Sequence, residues 1–162
     1  MSKKVSYGGI LLALNLVLLL LINIVPMNTL FLMSLASLPI SIVIMEWGPK
    51  MGVAFYIGST VLSFIIINSK VQFILYTFSF GIYGLLKYVL ERYKYIYIEY
   101  LLKIVCANFL VMVLYFILNS FVYIPVNLFT IITFQIVFMV YDYMYSRFIY
   151  YYNDKLRKIL KI

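Results

Sequence analysis

The sequence predicts an all-α membrane protein, a compact bundle of six transmembrane helices with both termini in the cytoplasm. Hydrophobic residues make up 66% of the 162 positions and charged residues only 11%, with a mean hydropathy of +1.07. The apolar residues fall in six runs, each close to the roughly 20 residues whose helix crosses about 30 Å of hydrocarbon. When these runs are threaded back and forth, twelve of the 13 Lys and Arg residues fall on one side, which the positive-inside rule assigns to the cytoplasm.

The apolar runs give the extent of each predicted helix, and Lys and Pro residues indicate where some of the helices begin or bend. Lys3 and Lys4 precede the first run, and no small-x-small cleavage site precedes Pro26, which favours a retained helix over a signal peptide. Pro39 should bend the second helix, and Pro49 is well placed to begin the third. The predicted helices cover residues 7–25, 29–45, 51–68, 71–90, 100–123 and 126–145.

Small residues recur within the helices, and a basic segment follows the last one. Ala54 with Gly58, and Gly81 with Gly84, predict places where helices approach each other closely. In residues 153–162, Leu156, Ile159 and Leu160 share one face of a helix and the basic residues lie elsewhere, which predicts an amphipathic tail along the anionic inner leaflet. No linker or repeat separates a second domain, so residues 1–162 are predicted to form one membrane domain in contact with lipid.

The few charges constrain both topology and partners. Lys70 is the one cation predicted outside, and the net charge of +8 follows from orientation, so no nucleic-acid partner is predicted. Asp142 lies deepest among the acidic residues and should pair with Lys87 or Lys103, or else be protonated. The single Cys106 cannot form an intramolecular disulfide and is predicted to be buried and inert.

Several kinds of chemistry are excluded by composition. The chain has no histidine, which removes Ser-His catalysis and helical His metal motifs, and it has no phosphate-binding loop for ATP. All five acidic residues map to predicted cytoplasmic ends, which leaves no carboxylate at mid-membrane to relay protons. We therefore predict no enzyme activity, no metal site and no cofactor, and expect any active transport to draw its energy from a partner.

Uncharged polar side chains near the predicted outer ends are the candidate ligand contacts. An apolar pocket with a few convergent amides is typical of sites for small organic molecules. The alternative is that these residues are simply the polar ends of helices. Gln135 lies deeper in the bilayer, where a buried amide needs a helix partner or a ligand. The candidate substrate-binding residues are Asn68, Gln72, Asn119, Tyr123, Asn127 and Gln135.

Three segments carry a resemblance to a known family. Leu38 and Pro39 stand in the second helix, residues 48–52 read Gly-Pro-Lys-Met-Gly, and residues 80–86 close the fourth helix with two glycines. Together with six predicted helices and small residues early in the first, this layout resembles the substrate-binding S components of energy-coupling-factor transporters. It is similar, more distantly, to rod-shape membrane proteins that scaffold cell-wall synthesis.

The resemblance to S components implies a function and partners. Such a protein would bind a vitamin-like substrate near its extracellular face in the plasma membrane of a bacterium. Uptake would be driven by separate ATPase subunits through a transmembrane coupling protein. Gly9 and Ala13 match the family's small-residue docking stripe on the first helix, although packing inside the bundle is an alternative for this pair. The resemblance to rod-shape proteins implies instead a scaffold without a small-molecule ligand.

Overall fold

The computed structural model describes residues 2–91, 96–122 and 127–157, and these ranges contain helices and turns without β-strands. A short 3-10 turn at Pro26–Asn28 joins the first two helices, and π-helical segments lie at Tyr76–Gly81 and Tyr152–Leu156. The α-helices are α1 (Ser2–Ile24), α2 (Thr29–Trp47), α3 (Pro49–Ile66), α4 (Lys70–Leu75), α5 (Ile82–Leu90), α6 (Ile96–Leu118) and α7 (Leu128–Tyr151).

Five helical segments in the described chain are long and apolar enough to cross a membrane, and α4, the first π segment and α5 together form one of them. Their outer faces carry large apolar side chains such as Ile24 and Ile65, which are 72% and 75% exposed. Apolar surface on this scale is suited to lipid rather than to water. The predicted all-α membrane bundle is therefore confirmed. The more polar α7 is 24 residues long, and its crossing, the count of six and the side of the termini stay predictions.

Helix ends differ from the predictions by several residues. The helix predicted to reach residue 123 ends at Leu118, where the chain turns through Asn119 and Ser120. The last helix runs on through Tyr151 into the π segment, so the first residues of the predicted basic tail continue α7. The remainder of that tail, residues 158–162, lies outside the described residues.

Helix α2 is the centre of the bundle and packs against α1, α3, α5 and α7. Around its internal Pro39, polar side chains from other helices bond to α2 carbonyl groups. The buried Asn15 of α1 donates to the Ala36 carbonyl at 2.5 Å, and the Tyr145 hydroxyl of α7 donates to the Ser37 carbonyl at 3.2 Å. These bonds fix α1 and α7 to the same stretch of α2.

Glycines let α2 approach its neighbours. A Cβ atom added to Gly84 would meet the Ile40 side chain and lie 2.6 Å from the Tyr145 hydroxyl, and one added to Gly52 would meet Ile44. The predicted close contact at Gly84 is thus confirmed. At Gly58 an added Cβ would have Leu12 of α1 as its nearest neighbour at 3.9 Å, an ordinary contact that does not require a glycine.

A polar cluster ties the end of α2 to the end of α7. Glu46, whose side chain is 4% exposed, pairs with Arg157 at 3.1 Å and accepts a hydrogen bond from the Tyr152 hydroxyl at 3.3 Å. Burial and the neighbouring Glu46 carboxylate raise the pKa of Tyr152 to about 12, so the phenol stays protonated and donates. The second π segment is held against the bundle by these contacts.

Candidate ligand-binding site

A cleft separates the consecutive helices α6 and α7. Helix α6 packs mainly against α4, the first π segment and α5, whereas α7 packs mainly against α2. The space left between them has a volume of about 560 Å³, which falls within the range of pockets for small organic molecules. Its apolar walls come from Val111, Leu114 and Leu118 on α6, Ile131 and Phe134 on α7, and Leu75 on α4.

Three polar side chains border this cleft among the described residues. They are Asn108 and Tyr115 on α6 and Thr130 at the start of α7. Thr130 also closes α7, since its hydroxyl accepts from the Asn127 backbone N–H at 3.1 Å while the Asn127 side chain accepts from the Thr130 backbone. This capping box stiffens the end of α7 nearest the predicted outer face.

Gln135 bonds to a partner on the neighbouring helix. Its Nε2 donates to Asn108 Oδ1 at 2.7 Å, and Asn108 Nδ2 donates to the Ile104 carbonyl at 2.9 Å. The sequence left two possibilities for Gln135, a helix partner or a ligand, and the structure provides the partner. Since Asn108 borders the cleft, the amide pair also forms one polar point on its wall.

A double-mutant cycle should measure this amide pair. Gln135→Leu and Asn108→Leu are each expected to lower the free energy of unfolding in bicelles. The coupling between them should be about 0.6 kcal/mol, the typical value for hydrogen bonds between transmembrane helices. Ile136→Ala, on the exposed face of α7, serves as a control that should show no coupling to Asn108→Leu. A Gln135–Asn108 coupling indistinguishable from zero would show that the bond does not join the helices.

Towards the predicted cytoplasmic side the cleft narrows to a space of about 50 Å³. This extension shares Val111, Leu114 and Phe134 with the main cleft. Beyond them it is walled by aromatic rings, among which Tyr83 and Phe138 meet edge to face with their centroids 5.8 Å apart. The rings fill the region between α5 and α7 and leave little room for a ligand.

A buried ionic network follows this aromatic region and joins α5, α6 and α7. Lys87 and Lys103 are only 1% and 4% exposed. Lys87 Nζ lies 2.5 Å from Asp142 Oδ1 and 2.5 Å from Glu91 Oε1. Lys103 Nζ lies 2.7 Å from Glu99, 2.9 Å from Glu91 and 3.3 Å from Asp142 Oδ2. The predicted pairing of Asp142 is confirmed, and it involves both lysines.

Tyr83 connects the ionic network to the cleft. Its hydroxyl donates to Asp142 Oδ1 at 2.5 Å, and its ring lines the narrow extension. On the far side of the network, Lys87 Nζ donates to Ser146 Oγ at 2.7 Å. The charges are therefore satisfied among themselves, as burial requires, and together they close the predicted cytoplasmic end of the cleft.

The other predicted substrate residues are spread around the predicted outer ends of the helices. Asn68 is exposed, and its backbone N–H donates to Asn23 Oδ1 at 3.3 Å. Gln72 is half-buried on α4, Asn119 is exposed after α6, and Asn127 caps α7. None of these four lines the cleft. Tyr123 lies outside the described residues. Gln135, through Asn108, is thus the predicted residue that reaches the cleft wall.

The predicted docking pair lies on an open face of α1. Gly9 and Ala13 are both exposed, and a Cβ added to Gly9 would meet nothing within 4 Å. The alternative of packing inside the bundle therefore has no support in the described residues. The face they form is available to lipid or to another membrane helix.

Sequence reasoning missed Asn108, Tyr115 and Thr130 as residues of the site. A signal was present for Asn108, because it is an amide within the otherwise apolar run of α6, as Gln135 is within α7. Two such amides on consecutive antiparallel helices are candidates for a mutual bond. Tyr115 and Thr130 carry no comparable signal, since the chain is rich in tyrosine and threonine is common at helix starts.

Comparison with known proteins gives no relative for this chain. No protein-family model matches it, and no curated protein and no solved structure shows significant similarity to it.

Proposed function

We propose that this chain is a bacterial plasma-membrane protein that captures a small organic molecule near its extracellular face for uptake driven by partner subunits. The observation that carries the proposal is the cleft of about 560 Å³ between α6 and α7. It is large enough for a drug-sized ligand. It is bordered by Leu118 at the end of α6 and by Thr130 at the start of α7, and these helix ends belong to the half of the bundle predicted to face outwards. The closed ionic end is consistent with capture from that side.

Two features of the sequence support a need for partners. The chain has no phosphate-binding loop for ATP and no carboxylate predicted at mid-membrane, so under this proposal the energy for uptake comes from a partner. The resemblance to S components supplies the partner type, a transmembrane coupling protein carrying ATPase subunits. The exposed face of Gly9 and Ala13 offers a surface where a partner helix could approach closely.

Purification from the native membrane, followed by identification of the accompanying subunits, tests the proposal. We expect an ATPase pair and a coupling protein to co-purify with the wild-type chain. Ala13→Leu should lower their recovery about tenfold, because a bulky side chain there removes roughly 1.4 kcal/mol of close helix contact. Since Ala13 is exposed, the variant should fold normally, as judged by its melting temperature in detergent.

Ala54→Leu is the matched control. Ala54 is likewise an exposed alanine on a helix, but it lies on α3, outside the docking face, and the substitution should leave co-purification unchanged. Recovery of the wild-type chain without ATPase subunits would contradict the transport proposal. Equal loss of subunits in the Ala13→Leu and Ala54→Leu variants would contradict docking through α1.

A scaffold function is the second candidate, and one observation favours it. The amides of Gln135 and Asn108 are bonded to each other, as expected where no ligand has to be held. Under this proposal the native chain co-purifies with cell-wall enzymes and its cleft holds only bulk lipid. The same purification therefore separates the two functions by the class of protein recovered.

A further inference from the structure

The chemistry of the α6–α7 cleft restricts what it can hold. No charged side chain lines the cleft among the residues that the structure describes. An ionised ligand would lose its hydration without gaining a partner of opposite charge, at a cost of several kcal/mol. Lys87 and Lys103, which lie beyond the aromatic extension, are already paired with carboxylates. The lining of the cleft therefore favours an uncharged molecule.

The cleft also offers few hydrogen bonds. Asn108 accepts from Gln135 at Oδ1 and donates from Nδ2 to the Ile104 carbonyl, which leaves one lone pair and one N–H of its amide for a ligand. The Tyr115 hydroxyl adds one further polar group to the cleft wall. Thr130 accepts from the Asn127 backbone N–H as part of the α7 cap. Each unsatisfied polar group on a ligand costs about 1–3 kcal/mol when it is buried. A water-soluble vitamin with many polar groups would therefore bind poorly, whereas a hydrocarbon chain with one or two polar atoms would be satisfied.

The way into the cleft lies at its side. Met112 on α6 and Ile131 on α7 both border the cleft, and they are 58% and 49% exposed. Helix α6 is long and apolar enough to cross a membrane and α7 is predicted to cross one, so apolar side chains this exposed would face the hydrocarbon of the bilayer. At the other end, Tyr83 and the ionic network close the path. A ligand already dissolved in the bilayer can thus enter between the two helices without crossing water.

We infer that the ligand of this cleft is an uncharged, mainly hydrocarbon molecule with one or two hydrogen-bonding groups, and that it enters sideways from the lipid. The inference rests on the proposed function only in taking the cleft as the ligand site. It replaces a polar vitamin by a lipid-soluble substrate class.

Two photoreactive probes of equal chain length test the inference on the protein in bicelles. One is hexadecanol and the other is hexadecyl sulfate, and each carries the same diazirine group. We expect the hexadecanol probe to label peptides containing Met112 or Phe134 saturably, with unlabelled hexadecanol as competitor. The sulfate probe should label those peptides at least about tenfold less, which corresponds to 1.4 kcal/mol. Saturable labelling of the cleft by the sulfate probe at a similar level would overturn the inference.

Filling the cleft provides the matched control. Val111→Trp places a large ring in the cleft and should reduce labelling by the hexadecanol probe about tenfold. Val105→Trp makes the same change on the exposed face of α6 and should leave labelling unchanged. Equal labelling in the Val111→Trp variant and the wild-type chain would show that the probe reports only bulk lipid, and would also overturn the inference.

These results can be told apart from failure of the transport proposal. If the chain is recovered without ATPase subunits but the hexadecanol probe labels the cleft saturably, the inferred ligand class stands and the transport proposal fails. If ATPase subunits are recovered but neither probe labels the cleft, the proposed partners stand and the inference of a lipid-soluble ligand is overturned.

Discussion

Replacing Asp142 by leucine is expected to lower the free energy of unfolding by about 3 kcal/mol, near the lower end of the range for removing one partner of a buried ion pair. Asp142 contacts Lys87, Lys103 and the Tyr83 hydroxyl. Without it, two almost fully buried ammonium groups lose a shared carboxylate. Glu91 stays within reach of both lysines, which limits the loss. The unfolding free energy in bicelles is the measurement.

Two further variants make the Asp142 experiment specific. Asn153→Leu replaces a polar side chain by leucine at an exposed position in the second π segment, and it should change stability by less than about 0.5 kcal/mol. Adding Lys87→Met to Asp142→Leu removes one of the stranded charges, and the double variant should recover about 1 kcal/mol through the coupling between neighbours. An Asp142→Leu variant as stable as the wild-type chain would show that the network does not hold the helices together.

Several features of this fold could be predicted because they are local in the sequence. The length and hydropathy of the runs predict helices suited to the bilayer, since twenty apolar residues can satisfy their own backbone in lipid only as a helix. Pro49 predicts the start of α3, which begins there. The depth of Asp142 predicts a lysine partner, because an unpaired carboxylate at that position is too costly.

Other features depend on which helices touch, and no local pattern contains that information. Small residues within one helix predict close contacts for both Ala54–Gly58 and Gly81–Gly84, yet an added Cβ would collide with another helix at Gly84 and not at Gly58. The ionic network was predicted as one pair, but Glu91 and Glu99 join it because α5, α6 and α7 converge. The cleft arises from two consecutive helices that each pack elsewhere, an arrangement that polar residues at helix ends could not indicate.

The same separation of α6 from α7 connects the cleft with the ionic network. The described polar links between these two helices are the Gln135–Asn108 amide bond and the Lys103–Asp142 ion pair. The first lies beside the cleft and the second beyond its closed end. A ligand that widens the cleft acts on the amide bond first, since breaking that bond costs about 0.6 kcal/mol, whereas separating Lys103 from Asp142 would weaken the compensation of buried charges, at a cost of up to a few kcal/mol. Opening is therefore expected at the lipid side while the cytoplasmic end stays closed.

Gly84→Ala is expected to destabilise the protein by about 2 kcal/mol, the middle of the range for overpacking a core. The added methyl group would meet the Ile40 side chain of α2 and the Tyr145 hydroxyl of α7. Ile40 is 3% exposed, and Tyr145 is held by its bond to the Ser37 carbonyl, so neither can move aside cheaply. Helix α5 must then shift away from α2, and Lys87, which lies on α5 and pairs with Asp142, must shift with it. The unfolding free energy in bicelles again reports the effect.

Gly9→Ala is the control for this change, because both substitutions add the same methyl group to a helix. At Gly9 the methyl group meets nothing within 4 Å, so the gain in helix propensity, up to about 1 kcal/mol, should be the main effect. Combining Gly84→Ala with Ile40→Ala removes the atoms that the new methyl group meets, and the double variant should lose less stability than the sum of the two single variants. A Gly84→Ala variant at least as stable as the Gly9→Ala variant would contradict the close approach of α5 to α2, and with it the position of Lys87 in the ionic network.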